Sequence, residues 1–352
     1  MNTLSPERLI HRPRGSRHSG DSMLRHLSWL LLASALGASS GCSKKTTAPA
    51  TEPAAVAPKD TSEPAVSDAS DEEDAQNLDE STNSFDVGSF TGTFYNECVL
   101  TEPTGDVPDD LYVVGDVEAT SSHGTFSKTL HVYGITLVAK ADVPDAFLRA
   151  VRDTVVEMFP PTAANVVLQA EILRNMHAYK ATIPVFSGGE AGVDESAIES
   201  MEGNYSLCDI IMEGTDGGQT MEVLEHILHH VTNVGLHYTY PGLWGLTSAS
   251  TLHAAYEETT AAGIYNVKDY EEIDELAVRR RVELQELAYW LITSYWDVQV
   301  GYGSPGNEWK ASSPDTLQSQ SPTGFTLVQA TVGATMGAPS KASLDAFSTW
   351  QK

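Results

Sequence analysis

The chain has 352 residues and a formal charge of −27, from 48 acidic and 21 basic side chains. Residues 1–42 carry five Arg against Glu7 and Asp21; setting them aside leaves 16 basic and 46 acidic side chains, a charge of −30. A surface that acidic repels phosphate backbones and argues against nucleic acid as a partner, while suiting solubility and capture of cations or a basic partner.

The N-terminus is an Arg-rich leader as far as Met23, which is an alternative start. From there MLRHLSWLLLASALGASSGC has a basic beginning, an apolar run over Leu27–Leu36, and small residues ending at Cys42. The run is short for a transmembrane helix and has the three-part layout of a secretory signal. Ending Ser39-Ser40-Gly41-Cys42, it resembles a bacterial lipoprotein signal, with Ser39 where that family usually has Leu. The resemblance implies lipid on Cys42, export, and a membrane anchor facing the periplasm or cell exterior. An ordinary signal peptide cut nearby is the alternative. Export leaves Cys98 and Cys208 as an even pair in an oxidising compartment, so a disulfide between them is expected. Two buried thiols are the alternative.

Ser43 to Phe85 is Ala, Pro, Thr and Ser turning to acidic DASDEEDAQNLDES, a composition that cannot bury a core and reads as a disordered tether. Residues 86–352 read as one globular domain. Alternating aromatic and β-branched residues predict strands over 90–100, 111–120 and 124–140. Helical periodicity follows over 143–159 and 163–177, then an apolar strand over 181–186 and another over 206–212. Helices are expected over 221–240, 248–261 and 270–298. The Gly/Ser/Pro-rich tail from Gly301 is expected to be loop-rich, with a short helix near 340–350. Strands first and helices later indicate an α+β fold.

The stretch MEVLEHILHHVTNVGLHYTY, Met221–Tyr240, holds four of the eleven His residues. At 100° per residue, Leu224, Ile227, Leu228, Val231 and Val234 form an apolar stripe. Glu222, Glu225, His226, His229 and Asn233 gather opposite, with His230 at the edge. Thr220 is the expected cap, and Glu222 sits in the first turn, where the helix dipole favours negative charge. Carboxylate and imidazole spaced i, i+4 can converge on one cation. The alternative is a solvated polar face rich in His.

This helix resembles the motif helix of the zincin metallopeptidases, in which HExxH supplies two His ligands and a Glu base. The gluzincin branch takes a third ligand, Glu, from a later helix, and the lethal-factor type is the comparison the element order suggests. The resemblance implies a zincin-like metal site, with zinc as the metal, and a peptide or protein substrate. In Glu225-His226-Ile227-Leu228-His229 the first two positions of the motif are exchanged. Glu225 and His229 then become ligands, and His226 stands where the catalytic base belongs. A second frame pairs His226 with His230. The reversed HxxEH form fails because His229 occupies its Glu position, and His237 lies one residue beyond metzincin spacing. The third ligand expected is Glu286 on the long helix, flanked by Glu283 one turn earlier. Arg280, on the apolar stripe of that helix, is expected to pair with a buried carboxylate. A non-catalytic binding lipoprotein on the same scaffold, and an acidic protein binding metal opportunistically, are the competing readings.

Overall fold

The structure, a computed structural model, describes residues 98–215, 217–303 and 306–350. The signal segment with Cys42, the tether and most of the strand expected over 90–100 lie outside the described residues. What is described is mixed α/β, a five-stranded mixed sheet in the order β1-β2-β3-β4-β5 accompanied by helices.

The expected strand over 124–140 folds back on itself as β2 (Lys128–Val132) and β3 (Ile135–Ala139). Tyr133 and Gly134 turn the corner with φ of 48° and 84°, the two positive values that a type I′ hairpin turn needs. A side chain at Gly134 would also meet the Leu173 carbonyl at 2.8 Å. β1 (Glu118–Ala119) lies antiparallel to β2. After β3 the chain crosses through α1 (Asp145–Met158) and α2 (Val166–Ala178) and returns as β4 (Thr182–Ser187), parallel to β3. β5 (Ile211–Glu213) adds in parallel at the far edge.

That crossover departs from a fold of strands first and helices later, because β4 is buried on both faces, and a strand of that kind needs cover on each side. Leu137, Ile183, Val185 and Ile211 point into the main core, while Val138, Phe186 and Met212 point into a smaller core with Phe126 and Ile198. The strand expected over 206–212 survives only as β5 and a bridge between Ala181 and Ser206. Leu207–Ile210 between them stay outside the ladder.

The motif helix α3 (Gln219–His230) continues without a break into a π-helical segment, Val231–Leu236, and a last turn to Thr239. Its cap is Gly218, at φ 71°; Thr220, the expected cap, instead donates its hydroxyl to the Leu344 carbonyl at 3.0 Å. The buried Gln219 ties this end to the sheet: it accepts from the Gly214 N–H at 2.7 Å and donates to the Met212 carbonyl at 2.9 Å.

Across α3 packs the long helix α5 (Leu276–Tyr295), preceded by α4 (Thr251–Ala261), which Ser250 caps through the His253 N–H. The segment beyond 300 is not loop-rich. It holds α6 (Pro314–Gln320), α7 (Pro322–Ala330) and α8 (Lys341–Ala346). Pro314 and Pro322 stand in the first turns of α6 and α7, where a missing N–H costs nothing, and Ser313 with Thr316 completes a capping box. Composition alone reads such prolines as breakers. Among the described residues, no helix is long and apolar enough to cross a membrane.

Candidate metal centre

Three elements meet at His229: α3, α5 and the unpaired residues 207–210 before β5. Asp209, from that last segment, places Oδ2 at 2.7 Å from His229 Nδ1 and 2.9 Å from His226 Nδ1. On the other side of the His229 ring, Nε2 is 3.5 Å from Glu286 Oε2. Glu225 completes that side: donor atoms of Glu225, His229 and Glu286 all lie within 4.8 Å of one another. His226 Nε2 is 3.2 Å from Glu222 Oε1, which also accepts the Met212 N–H at 3.0 Å.

Asp209, His226 and His229 form a second group within the same span, and distance decides between the two. Two donors bound at about 2.1 Å to one tetrahedral zinc stand about 3.4 Å apart. The His229–Glu286 separation matches that edge. The Asp209 contacts are hydrogen-bond distances, too short to admit an ion. Asp209 therefore holds the Nδ1–H side of His229 and leaves Nε2 as a donor toward Glu225 and Glu286, the carboxylate–histidine–metal arrangement. His229 Nε2 is fully buried and has no aligned hydrogen-bond partner, so the donor set fits a cation. Glu286 and Asp209 each keep 14% of the side chain exposed, which leaves the site a path to solvent.

The electrostatics point the same way. Four carboxylates (Asp209, Glu222, Glu225 and Glu286) surround two imidazoles. Burial would raise the Asp209 carboxyl, but His226 and His229 hold it well below the usual carboxylate range. Burial would lower His229, but Glu286 and Asp209 push it up to about 10. Burial and the neighbouring charge of Glu286 drive Glu225 well above its ordinary value.

The sequence-predicted residues separate cleanly. Glu225, His229 and Glu286 are brought together. His226, expected at the base position, is fully buried between Asp209 and Glu222, with close but bent contacts to both. His230 is no ligand here. Its Nδ1 donates to the His226 carbonyl at 2.8 Å and its Nε2 accepts from the Cys208 N–H at 3.1 Å, because the ring points into the backbone of the sheet edge. Glu283 turns from Glu286 to Arg280, 3.0 Å away, whose guanidinium lies 4.0 Å above the Tyr256 ring. His237 belongs to neither donor group. Cys98 and Cys208 lie near each other as buried free thiols, with Cys208 Sγ donating to the Cys98 carbonyl at 3.6 Å.

Sequence reasoning missed three contributors. Asp209 is the lone charge in SLCDIIM, and an acid inside an apolar run was its signal. Gln285 sits beside Glu286 and sets its amide 3.0 Å from His229 Nδ1. Glu308 has no signal at all. It accepts from the Tyr270 hydroxyl and from Trp290 Nε1 at 3.1 Å, one helical turn beyond Glu286. Burial, then the charge of Glu286, raise it to about 7.

Comparison with family models, with curated proteins and with solved structures finds no match to this chain.

Proposed function

We propose that this chain is an envelope lipoprotein whose domain is zincin-like and binds a divalent cation, zinc, through Glu225, His229 and Glu286. The observation that carries the proposal is the convergence of these three donors from two helices, with His229 Nε2 unpartnered and Asp209 behind Nδ1. Mixed nitrogen and oxygen donors are normal for zinc, and three protein ligands leave the open position of a catalytic site. Bound zinc would supply Lewis-acid polarisation of a substrate carbonyl. The protein's own part is to fix the His229 donor through Asp209 and to accept a proton. The reaction class is hydrolysis of a peptide or protein substrate.

A second reading has its own support. The zincin base position is filled by His226, which two carboxylates hold, so a metal-binding lipoprotein without turnover fits the same donors. Metal analysis of the purified protein, followed by cleavage assays on broad peptide libraries, separates the two. Stoichiometric zinc with turnover supports the peptidase, and zinc without turnover supports the binding protein. A protein that takes up no stoichiometric metal, and whose melting temperature ignores zinc and chelator, refutes both.

A further inference from the structure

The Cys98 and Cys208 thiols are both buried, and Cys208 Sγ donates to the Cys98 carbonyl at 3.6 Å. Two connections run from this pair to His229. One is covalent: Cys208 immediately precedes Asp209, whose Oδ2 is 2.7 Å from His229 Nδ1. The other is a chain of polar contacts. The Asn233 amide donates to Cys98 Sγ at 3.6 Å and to Gln285 Oε1, and Gln285 Nε2 packs 3.0 Å from His229 Nδ1. Asp209 itself stands on residues 207–210, which no strand ladder holds.

We propose that Cys98 and Cys208 are a disulfide-forming modification site, and that their oxidation by a small-molecule disulfide fixes Asp209 and tightens cation binding at Glu225, His229 and Glu286. The coupling to the cation rests on the metal-centre reading; the crosslink does not. In the first step the Cys98 thiolate attacks one sulfur of the oxidant RSSR, forms a mixed disulfide and expels RS⁻, which takes up the proton that Cys98 lost. The Cys208 thiolate then attacks Cys98 Sγ, the bond to the SR group breaks, and a second RSH leaves with the Cys208 proton. Two protein thiols are oxidised and one RSSR becomes two RSH.

The order of attack follows from the surroundings. Burial raises the Cys98 thiol, but a hydrogen bond with Cys208 and the charge of Arg281 outweigh it, whereas burial and Cys98 push the Cys208 thiol up. Once formed, the bond pins residue 208 on its side-chain side, while His230 already holds its N–H. Asp209 is then anchored from the residue before it.

The test uses the full chain, incubated with oxidised or reduced glutathione and then titrated with Zn²⁺ against a chromophoric chelator. Peptide mass mapping is expected to find a Cys98–Cys208 crosslink, and the oxidised protein is expected to bind zinc about tenfold more tightly than the reduced. Cys98→Ser and Cys208→Ser should each trap a glutathione adduct on the remaining thiol and lose the difference. Asp209→Asn should bind weakly and equally in both states while still forming the crosslink. Failure of the wild type to crosslink overturns the proposal, as does a crosslink with unchanged zinc affinity. A crosslinked protein that binds no zinc in either state overturns the metal centre and the coupling together, and leaves the modification site standing.

Discussion

The two sides of α3 around residue 229 treat the same side chain in opposite ways. Toward α5 and residues 207–210, His226 and His229 meet carboxylates, and His229 is held cationic up to about pH 10. Toward β4, His230 meets only backbone, and burial lowers it to about 4 despite the His226 carbonyl that accepts from its Nδ1. All three rings are fully buried, so burial does not distinguish them. The charge of the neighbours does. A buried imidazole surrounded by carboxylates has a cation's place beside it; one surrounded by peptide groups is a fixed piece of the scaffold.

The sharpest way to break this contrast is His229→Ala. It removes the only nitrogen donor of the set and is expected to abolish stoichiometric zinc, a loss exceeding the roughly 10–100-fold expected for a residue that only orients a ligand. Elemental analysis and zinc titration read it directly, and retained stoichiometric zinc would reject the ligand assignment.

His230 tests the other side through pH. Its folded value lies below the unfolded value of about 6.5, so its contribution is complete above pH 6.5 and is lost as pH falls toward 4. The difference corresponds to about 3 kcal/mol of stability lost across that window. Urea unfolding at pH 7.5 and 4.5 should show a smaller acid loss for His230→Gln than for the wild type. Equal losses would mean that the neutral ring is not what acid attacks.

Asp209→Asn comes next. The amide cannot hold the Nδ1–H of His229 as a carboxylate does, so zinc should weaken about 10–100-fold while the fold persists. An unchanged affinity would move Asp209 out of the site. The smallest effect is expected far from the charges, in the π-helical segment. There a Cβ on Gly235 would meet Ile172 Cγ2 at 2.7 Å. Because that methyl can shift, Gly235→Ala should lower stability by about 1 kcal/mol without touching zinc affinity. A change in affinity would show that the segment reaches the metal centre.

The helices were legible because periodicity survives in the chain itself: α1, and α3 with its π-helical continuation to Thr239, begin and end within a few residues of where the apolar spacing puts them, while α5 is trimmed at both ends. The short helix near 340–350 was also legible, as α8, but the type I′ turn at Tyr133-Gly134 and helices α6 and α7 were not. In each, a residue usually read as an interruption serves a conformation that only its packed surroundings select. The spacing of Glu225 and His229 on one helix, and a carboxylate on the later one, marked the donor triad. The same spacing could not separate His229 from His230, because adjacent residues on a helix differ only in direction.

What the sequence determined, then, is local. It fixed which residues share a helical face, where the strongly periodic helices run, and that the chain is strongly acidic. Tertiary structure decided which face meets carboxylates, that Asp209 and Gln285 reach the same imidazole nitrogen, that Glu283 turns away to Arg280, and that Cys98 and Cys208 are neighbours with free thiols. The reason is physical. Periodicity follows from backbone geometry within a few residues, whereas the charge state of a buried ring depends on groups as far away as the 57 positions between His229 and Glu286, and only packing brings those together.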